Sequence, residues 1–121
     1  MQLCGRYGST YGITVAIEPL NRKESNVINT VQEAIVMAEE LSLPHIKVLG
    51  DCYHMDLEGE SFDVLTEAIK KGLLSHVHIA DRKRRFPCEP VDEAGIDFFK
   101  AVFCFAECRV QSGDISRMQL V

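Results

Sequence analysis

The chain has 121 residues, with 13 Lys and Arg against 18 Asp and Glu, so its formal net charge is −5 and its length predicts one domain at most. Hydrophobic residues make up 46% and charged residues 26% of the chain, which is ordinary for a folded globular protein. No apolar run approaches the roughly 18 to 20 residues that cross a bilayer, and residues 1–12 lack the order of a signal peptide. We therefore expect a cytoplasmic protein with no membrane partner, and the acidic balance argues against a nucleic-acid partner.

The cysteine pattern gives no sign of a disulfide framework or a zinc knuckle. The five cysteines form an odd set, and none of them has CxxC spacing. We expect reduced thiols at all five positions, which are Cys4, Cys52, Cys88, Cys104 and Cys108.

The first half of the chain predicts a strand and then a helix. Residues 13–17 are a short, mostly β-branched run that stops at Glu18, which is typical of a buried strand with a polar end. Thr30 and Glu33 have the spacing of a capping box. Because apolar residues then recur at helical spacing, we predict an amphipathic helix over residues 30–42.

The same alternation continues to the end of the chain. Residues 46–49 predict a second strand, and Ser61 is placed to cap a second helix that stops at the Lys-Lys-Gly sequence of residues 70–72. Residues 73–80 predict a third strand. A charged, proline-containing loop follows, and residues 92–106 predict a third helix.

Alternating strands and helices predict an α/β fold with parallel strands joined by right-handed crossovers. In such folds the catalytic groups gather at the carboxyl ends of the strands. Here those ends carry Glu18, Asp51 and His78, one in each of three successive units of about 30 residues. Three polar groups at equivalent positions indicate a site rather than three unrelated loop residues.

Three short segments around these residues carry a family resemblance. They read IEPLNR at residues 17–22, DCYHM at residues 51–55, and HVHIAD at residues 76–81, running on to Arg84. Together they resemble the xylose isomerase-like TIM-barrel superfamily, and most closely its sugar phosphate isomerase and epimerase branch, typified by D-tagatose 3-epimerase. The resemblance implies a divalent-metal-dependent enzyme that epimerises a ketose, or interconverts an aldose and a ketose, by proton transfer.

The resemblance also sets expectations for the fold and its extent. It covers about residues 10–103. It implies a partial (β/α)8 TIM barrel of about three to four strand-helix units, in a single domain over residues 1–121 with a divergent tail at residues 104–121. A complete barrel takes about 250 residues, so we interpret the chain as the carboxyl-terminal half of one, in a truncated form.

The resemblance assigns metal ligands to the three strand ends. In the family the matching residues bind a divalent cation, often manganese, magnesium or cobalt, and those positions here are Glu18, Asp51 and His78. Two carboxylates and one imidazole form a mixed oxygen and nitrogen site that suits such ions and also accepts zinc. A metal there would bind two neighbouring oxygens of a ketose and acidify the carbon-bound hydrogen between them. Glu18 would then serve as both ligand and catalytic base.

The resemblance places substrate contacts at Glu24, His54 and Arg84, which stand at the family's spacing from the three ligands. We expect a small-molecule sugar or sugar phosphate as the partner. The basic run at residues 82–85 leaves room for a phosphate, although solvent exposure explains the run equally well. We expect His76 to point to the opposite face of its strand from His78 and to be structural.

The chain departs from the family pattern in one respect that bears on mechanism. The family uses a second glutamate, on its last strand, as fourth ligand and as partner acid or base. Residues 110–121 contain no glutamate, and Glu107 lies in a segment that reads as helix. Epimerisation needs one group to remove a proton and another to return it from the opposite face. The activity of the isolated chain is therefore in doubt.

Two alternatives remain open at this point. An endonuclease IV-like DNA-repair enzyme shares the fold, but a three-zinc cluster would need more well-placed histidines than His45, His54, His76 and His78. A non-catalytic fragment that self-associates is the other alternative. The open edges of a partial barrel are templates for pairing, so we expect a homo-oligomer.

Overall fold

The computed structural model describes residues 1–85 and 96–97. Helices and strands alternate through this part of the chain, with two consecutive helices before the last strand. The elements are α1 (Gln2–Tyr11), β1 (Val15–Ile17), α2 (Val31–Leu41), β2 (Ile46–Asp51), α3 (Cys52–Glu58), α4 (Asp63–Lys70) and β3 (Leu74–His78).

The three strands form one parallel sheet with β2 in the centre. Ile17 of β1 lies opposite Val48 of β2, and Asp51 at the end of β2 lies opposite His78 at the end of β3. The predicted α/β class with parallel strands is confirmed. The strand ends that carry the candidate ligands lie side by side along one edge of the sheet.

The hydrophobic core contains residues of the sheet and of helices α2 and α4. Fully burying one valine, leucine or isoleucine side chain stabilises a fold by about 1.5 to 3 kcal/mol. The strands supply Ile17, Ile46, Val48 and Val77, and the two helices supply Val31, Ala34, Ile35, Ala38, Leu65 and Ala68.

Helix α2 begins where the capping box predicts. The Thr30 hydroxyl accepts the backbone N–H of Glu33 at 3.1 Å, and the Glu33 carboxylate accepts the N–H of Thr30 at 3.3 Å. The Glu60 carboxylate accepts the next two helix N–H groups, those of Val31 and Gln32, at 2.9 and 3.0 Å. Burial raises the pKa of Glu60 in spite of these hydrogen bonds. The four backbone donors of residues 30–33 at the start of α2 are therefore satisfied by side chains.

The later elements agree with the sequence pattern, with small shifts in their ends. The N-cap of α4 is Phe62 rather than the predicted Ser61, although the Ser61 hydroxyl accepts the backbone N–H of Asp63, the first residue of α4, at 3.3 Å. The chain leaves α4 through Gly72, whose φ of 66° is left-handed and favours glycine. Strand β3 is shorter than the predicted range of 73–80. The helix predicted for residues 92–106 and the tail at residues 104–121 lie outside the described residues.

Two helices, α1 and α3, are absent from the sequence-based prediction. Helix α1 contains Gly5 and Gly8, which have low helix propensity but are buried here. A Cβ atom added to Gly8 would lie 2.6 Å from the carbonyl oxygen of Ile13, so the glycine permits a close approach of the helix to the chain before β1. Helix α3 begins directly after Asp51, the last residue of β2.

One face of α1 has no cover within the described residues. Leu3, Tyr7 and Tyr11 recur at four-residue spacing on this helix and are 58 to 68% exposed. The rings of Tyr7 and Tyr11 stack with their centroids 6.4 Å apart. No helix in the described ranges combines the length and the apolar character that a membrane span requires.

Candidate functional site

Glu18, Asp51 and His78 meet at the carboxyl edge of the sheet. The Nδ1 atom of His78 lies 3.3 Å from Oε1 of Glu18 and 3.4 Å from Oδ2 of Asp51. The side chain of Asp51 is 12% exposed, whereas those of Glu18 and His78 are 36 and 37% exposed. The structure therefore brings the three predicted ligand residues together, with the two outer ones open to solvent.

The backbone of α3 orients Asp51. Its Oδ1 atom accepts the backbone N–H groups of Tyr53 and His54 at 2.9 and 3.3 Å, as the N-cap of α3. Because Oδ1 is held in this way, Oδ2 is the oxygen that lies near His78. Gly50 lets the Leu65 side chain of α4 pack directly against this strand end, since a Cβ there would press on a methyl group of Leu65.

A β-bulge sets the register that brings His78 to Asp51. Val48 lies opposite Leu74, but the next residue, Leu49, lies opposite His76, so Ser75 is an extra residue in β3. The Ser75 hydroxyl donates to the carbonyl oxygen of Val48 at 3.1 Å. If Ser75 instead paired with Leu49 in a regular ladder, Val77 would lie opposite Asp51.

A second group of side chains lies around the strand ends. Glu24 and Arg84 are in loops, and His54 is in α3. His54 is 2% exposed, and its Nδ1 atom lies 3.2 Å from the backbone nitrogen and 2.8 Å from the side-chain nitrogen of Asn21. The same Asn21 side chain donates to Oε1 of Glu24 at 3.0 Å. Arg84 reaches that oxygen from the other side at 3.4 Å. All three predicted substrate-contact residues thus belong to one hydrogen-bonded group with Asn21.

A turn organised by Asp81 carries Arg84. The Asp81 Oδ1 atom accepts the backbone N–H groups of Lys83 and Arg85, each at 2.8 Å, and these bonds lower the pKa of the Asp81 carboxyl. Arg84 takes a left-handed conformation in this turn, with φ of 58°. Its guanidinium lies 4.9 Å from the centroid of the Tyr53 ring, within range of a cation–π interaction.

The basic run at residues 82–85 is largely neutralised by carboxylates. Arg82 forms two hydrogen bonds with Asp56, at 2.6 and 2.9 Å. Arg85 pairs with Asp81 at 3.1 Å, and Arg84 has the longer contact to Glu24 already described. Three of the four basic side chains of the run therefore face carboxylates.

Sequence reasoning placed one histidine wrongly and did not find two buried polar residues. The expected opposite orientation of His76 is wrong, since residues two apart in a strand share a face, and its ring centroid lies 5.2 Å from that of His78. Asn21 and Asp81 are 1 and 3% exposed, although in sequence each looks like an ordinary turn residue. Their place within the IEPLNR and HVHIAD segments was the available signal.

Cys52 lies beside the site but does not have the properties of a nucleophile. Its side chain is fully buried, and burial together with the charge of Asp51 raises the pKa of the thiol to about 12. A thiol with such a pKa is protonated at neutral pH. This agrees with the expectation of a reduced, unreactive cysteine at this position. Cys4 is also a free thiol, whereas the other three cysteines lie outside the described residues.

Among the described residues, Glu18, Asp51 and His54 form a group whose candidate donor atoms all lie within 4.8 Å of one another, and His78 is not part of that group. Distance therefore also allows His54 as the histidine ligand. However, the Nδ1 atom of His54 is already engaged by Asn21. The Nδ1 atom of His78 contacts the two carboxylates and lies closer to them.

Comparison with known proteins gives consistent matches. The model of the family described as xylose isomerase-like TIM barrel matches residues 1–104. The 3-dehydro-D-guloside 4-epimerase of Escherichia coli (strain K12) is 41% identical over 78 residues, which are 63% of this chain and 29% of that protein. The ketose 3-epimerase of Arthrobacter globiformis is 32% identical over 124 aligned positions, covering 91% of this chain and 41% of that protein.

Solved structures agree with the sequence comparison. The crystal structure of 3-keto-D-glucoside 4-epimerase from E. coli superposes on 99% of this chain with a TM-score of 0.73 and 30% sequence identity. The match covers 42% of that structure. The chain therefore spans less than half the length of each of these three relatives.

Proposed function

Because the chain belongs to the xylose isomerase-like TIM barrel family, we propose that it carries the metal-binding and proton-abstracting part of a sugar epimerase. The observation that carries this proposal is the contact of His78 Nδ1 with the carboxylates of Glu18 and Asp51. Three donor atoms from three neighbouring strands converge there. The relatives named as sugar epimerases support a sugar as the substrate class.

Two of the three spacings among the proposed donor atoms match those of ligands around one divalent cation. Two ligand atoms about 2.1 Å from a common ion at a tetrahedral angle lie about 3.4 Å apart. The two distances from His78 Nδ1 are 3.3 and 3.4 Å. Two carboxylates and one imidazole suit manganese, magnesium or cobalt, and also zinc. We therefore propose Glu18, Asp51 and His78 as the ligands, with manganese, magnesium or cobalt preferred.

The cation would supply Lewis acidity toward two adjacent oxygens of the sugar. The remaining catalytic and binding roles belong to side chains of this protein. Glu18 removes the proton from the carbon between these oxygens, because it stands at the strand end with a solvent-open carboxylate. Arg84 and His54 stabilise the negative charge that develops on oxygen, and Glu24 accepts a sugar hydroxyl. These four roles are proposals that follow from the residue types and their convergence.

A neutral sugar fits this arrangement better than a sugar phosphate. Arg82 and Arg85 are paired with Asp56 and Asp81, so a phosphate would have to displace a carboxylate to reach them. Such exposed ion pairs contribute little stability, but they lower the local positive charge. The same neutralisation counts against a DNA-repair function, since a phosphate backbone requires a basic surface.

Complete epimerisation needs a second acid or base on the opposite face of the sugar. We propose that a second copy of this chain, or a complementary barrel segment, packs against this one to provide it. Two features support association: β1 and β3 lie at the edges of the described sheet, and Leu3, Tyr7 and Tyr11 are exposed on α1. Light scattering on the purified chain tests homo-oligomerisation, and a stable monomer contradicts it.

The direct test of the proposed function uses a half-reaction that needs only one base. The full chain is stripped with a chelator and titrated with Mn²⁺, Co²⁺, Mg²⁺ and Zn²⁺ by calorimetry. Ketohexoses and ketopentoses are then incubated in D2O, and loss of the carbon-bound hydrogen is followed by mass spectrometry. We expect metal-dependent exchange.

A matched pair of glutamate variants controls this test. Glu18→Gln removes the base and one anionic ligand, so exchange and metal content should both fall. Glu40→Gln makes the same chemical change at an exposed position of α2 and should leave both unchanged. Unchanged metal content in Glu18→Gln, or metal binding without exchange of any ketose, contradicts the proposal.

A further inference from the structure

Asn21 is a buried polar residue in contact with two residues of the proposed substrate site. It follows β1 in the IEPLNR segment, begins a turn closed by the N–H of Glu24 on its carbonyl oxygen at 2.9 Å, and is 1% exposed. Buried amides cost free energy unless their donors and acceptors are paired. The partners of Asn21 therefore show what the residue is placed to do.

The side-chain oxygen of Asn21 fixes which way its amide group faces. Oδ1 accepts the backbone N–H of Lys23 at 3.0 Å, so the amide nitrogen is directed to the other side. There it lies 2.8 Å from Nδ1 of His54 and 3.0 Å from Oε1 of Glu24. The two amide hydrogens thus have two separate acceptors.

The backbone N–H of Asn21 is one of two donors that select the protonation pattern of the His54 ring. It lies 3.2 Å from Nδ1, and a backbone N–H can only donate. While this bond is made, Nδ1 is the acceptor, and a neutral ring carries its hydrogen on Nε2. The side-chain amide adds a second donor toward the same nitrogen.

We propose that Asn21 is a positioning residue that holds His54 in the tautomer with hydrogen on Nε2. In this state His54 presents a hydrogen-bond donor to the site and has no free lone pair for a metal ion. The same amide holds Glu24 as an acceptor, so one buried residue assigns opposite hydrogen-bonding roles to two neighbours. The proposal depends on the proposed function in one respect: the acceptor of the hydrogen bond from Nε2 is a sugar oxygen.

The tautomer is measurable on the full chain without metal or sugar. Long-range 1H–15N correlation spectra of the 15N-labelled protein distinguish protonated from unprotonated ring nitrogens. They are recorded well above the ordinary histidine pKa of roughly 6.5, so that the rings are neutral. The spectrum of His54→Ala assigns the signals. We expect one His54 species with an unprotonated Nδ1 and a protonated Nε2.

Asn21→Asp replaces the donating amide by an accepting carboxylate of similar shape. We expect the His54 Nδ1 signal to move toward the protonated range in this variant. Asn21→Ala keeps the backbone donor and removes the amide, and should shift the signal partway toward the average of the two tautomers. Asn29→Asp is the control, because Asn29 is buried in the same loop but donates to the carbonyl oxygens of Leu20 and Ser25.

The outcomes separate this proposal from the proposed function. A wild-type spectrum with hydrogen on Nδ1, or with tautomer-averaged signals, overturns it even if the ketose exchange assay succeeds. Unchanged His54 signals in both Asn21 variants also overturn it. Failure of the exchange assay leaves it standing. If Asn21→Asp does not fold, the wild-type spectrum and Asn21→Ala decide the question.

Discussion

The strand ends and the loops of this site position their side chains by different means. Asp51 and His78 lie side by side because the backbones of β2 and β3 pair with each other, and Glu18 follows the neighbouring strand β1. Glu24 and Arg84, in contrast, lie in loops that are held by buried polar residues. These residues are Asn21 after β1 and Asp81 after β3.

This difference indicates how each part of the site would respond to change. Strand register couples every residue of a strand, because a slip by one position moves all side chains to the opposite face. A loop held by one side chain responds locally when that side chain is altered. Changes to the register should therefore abolish the proposed metal site, whereas changes to the loops should alter ligand contacts and leave the sheet intact.

Insertion of one alanine between His76 and Val77 should have the largest effect, because it shifts the register of β3 beyond its β-bulge. Continued pairing with β2 would then place Val77 opposite Asp51 and turn His78 toward the core, where Val77 is now 2% exposed. We expect loss of high-affinity metal binding together with loss of a cooperative unfolding transition. Calorimetric metal titration and circular dichroism measure the two effects.

Ser75→Ala is the control for this insertion. It keeps the register of β3 and removes only the hydroxyl bond to the Val48 carbonyl, so the free energy of unfolding should fall by about 1 kcal/mol with metal binding retained. An insertion variant that binds metal and unfolds like the wild type would show that the register of β3 does not position the site.

Replacement of His78 should have the next largest effect, which should be limited to the affinity for the metal ion. Loss of an outer-shell partner typically costs 10- to 100-fold in affinity, so His78→Ala should weaken binding by at least about 100-fold. His76→Ala removes the neighbouring ring on the same face and should leave the affinity within about a factor of ten. Equal losses in the two variants would assign a ligand role to both histidines.

The strand-end residues were predictable because their signals are local. A β-branched run followed by its first polar residue marks Glu18 as the end of β1, and the capping pair Thr30 and Glu33 marks the start of α2. Parallel order then follows from the alternation of strands and helices. No contact distant in sequence is needed for these steps.

The features that escaped prediction depend on contacts between distant segments. The bulge at Ser75 exists only in the pairing of β3 with β2, and the burial of Asn21 depends on His54, 33 residues away. Helix α1 was missed because Gly5 and Gly8 lower its helix propensity. In the folded protein these glycines permit close packing of the helix against its neighbours. Local patterns therefore located the strand ends but did not reveal the residues that hold the loops.

Protonation of Asp81 should have the smallest effect, limited to the turn that carries Arg84. Backbone N–H groups hold the pKa of Asp81 below its ordinary value, so its carboxylate favours the folded turn at pH values above the ordinary pKa of roughly 4. That contribution is lost as the pH falls through the lower pKa of the folded state. Amide signals of Lys83 and Arg85 should follow this transition while those of β2 stay unchanged. Asp81→Asn should show no such transition. A wild-type turn that titrates at the ordinary aspartate pKa would contradict the effect of these N–H groups on Asp81. A turn that titrates together with the sheet would mean that loop and strand ends are not positioned independently.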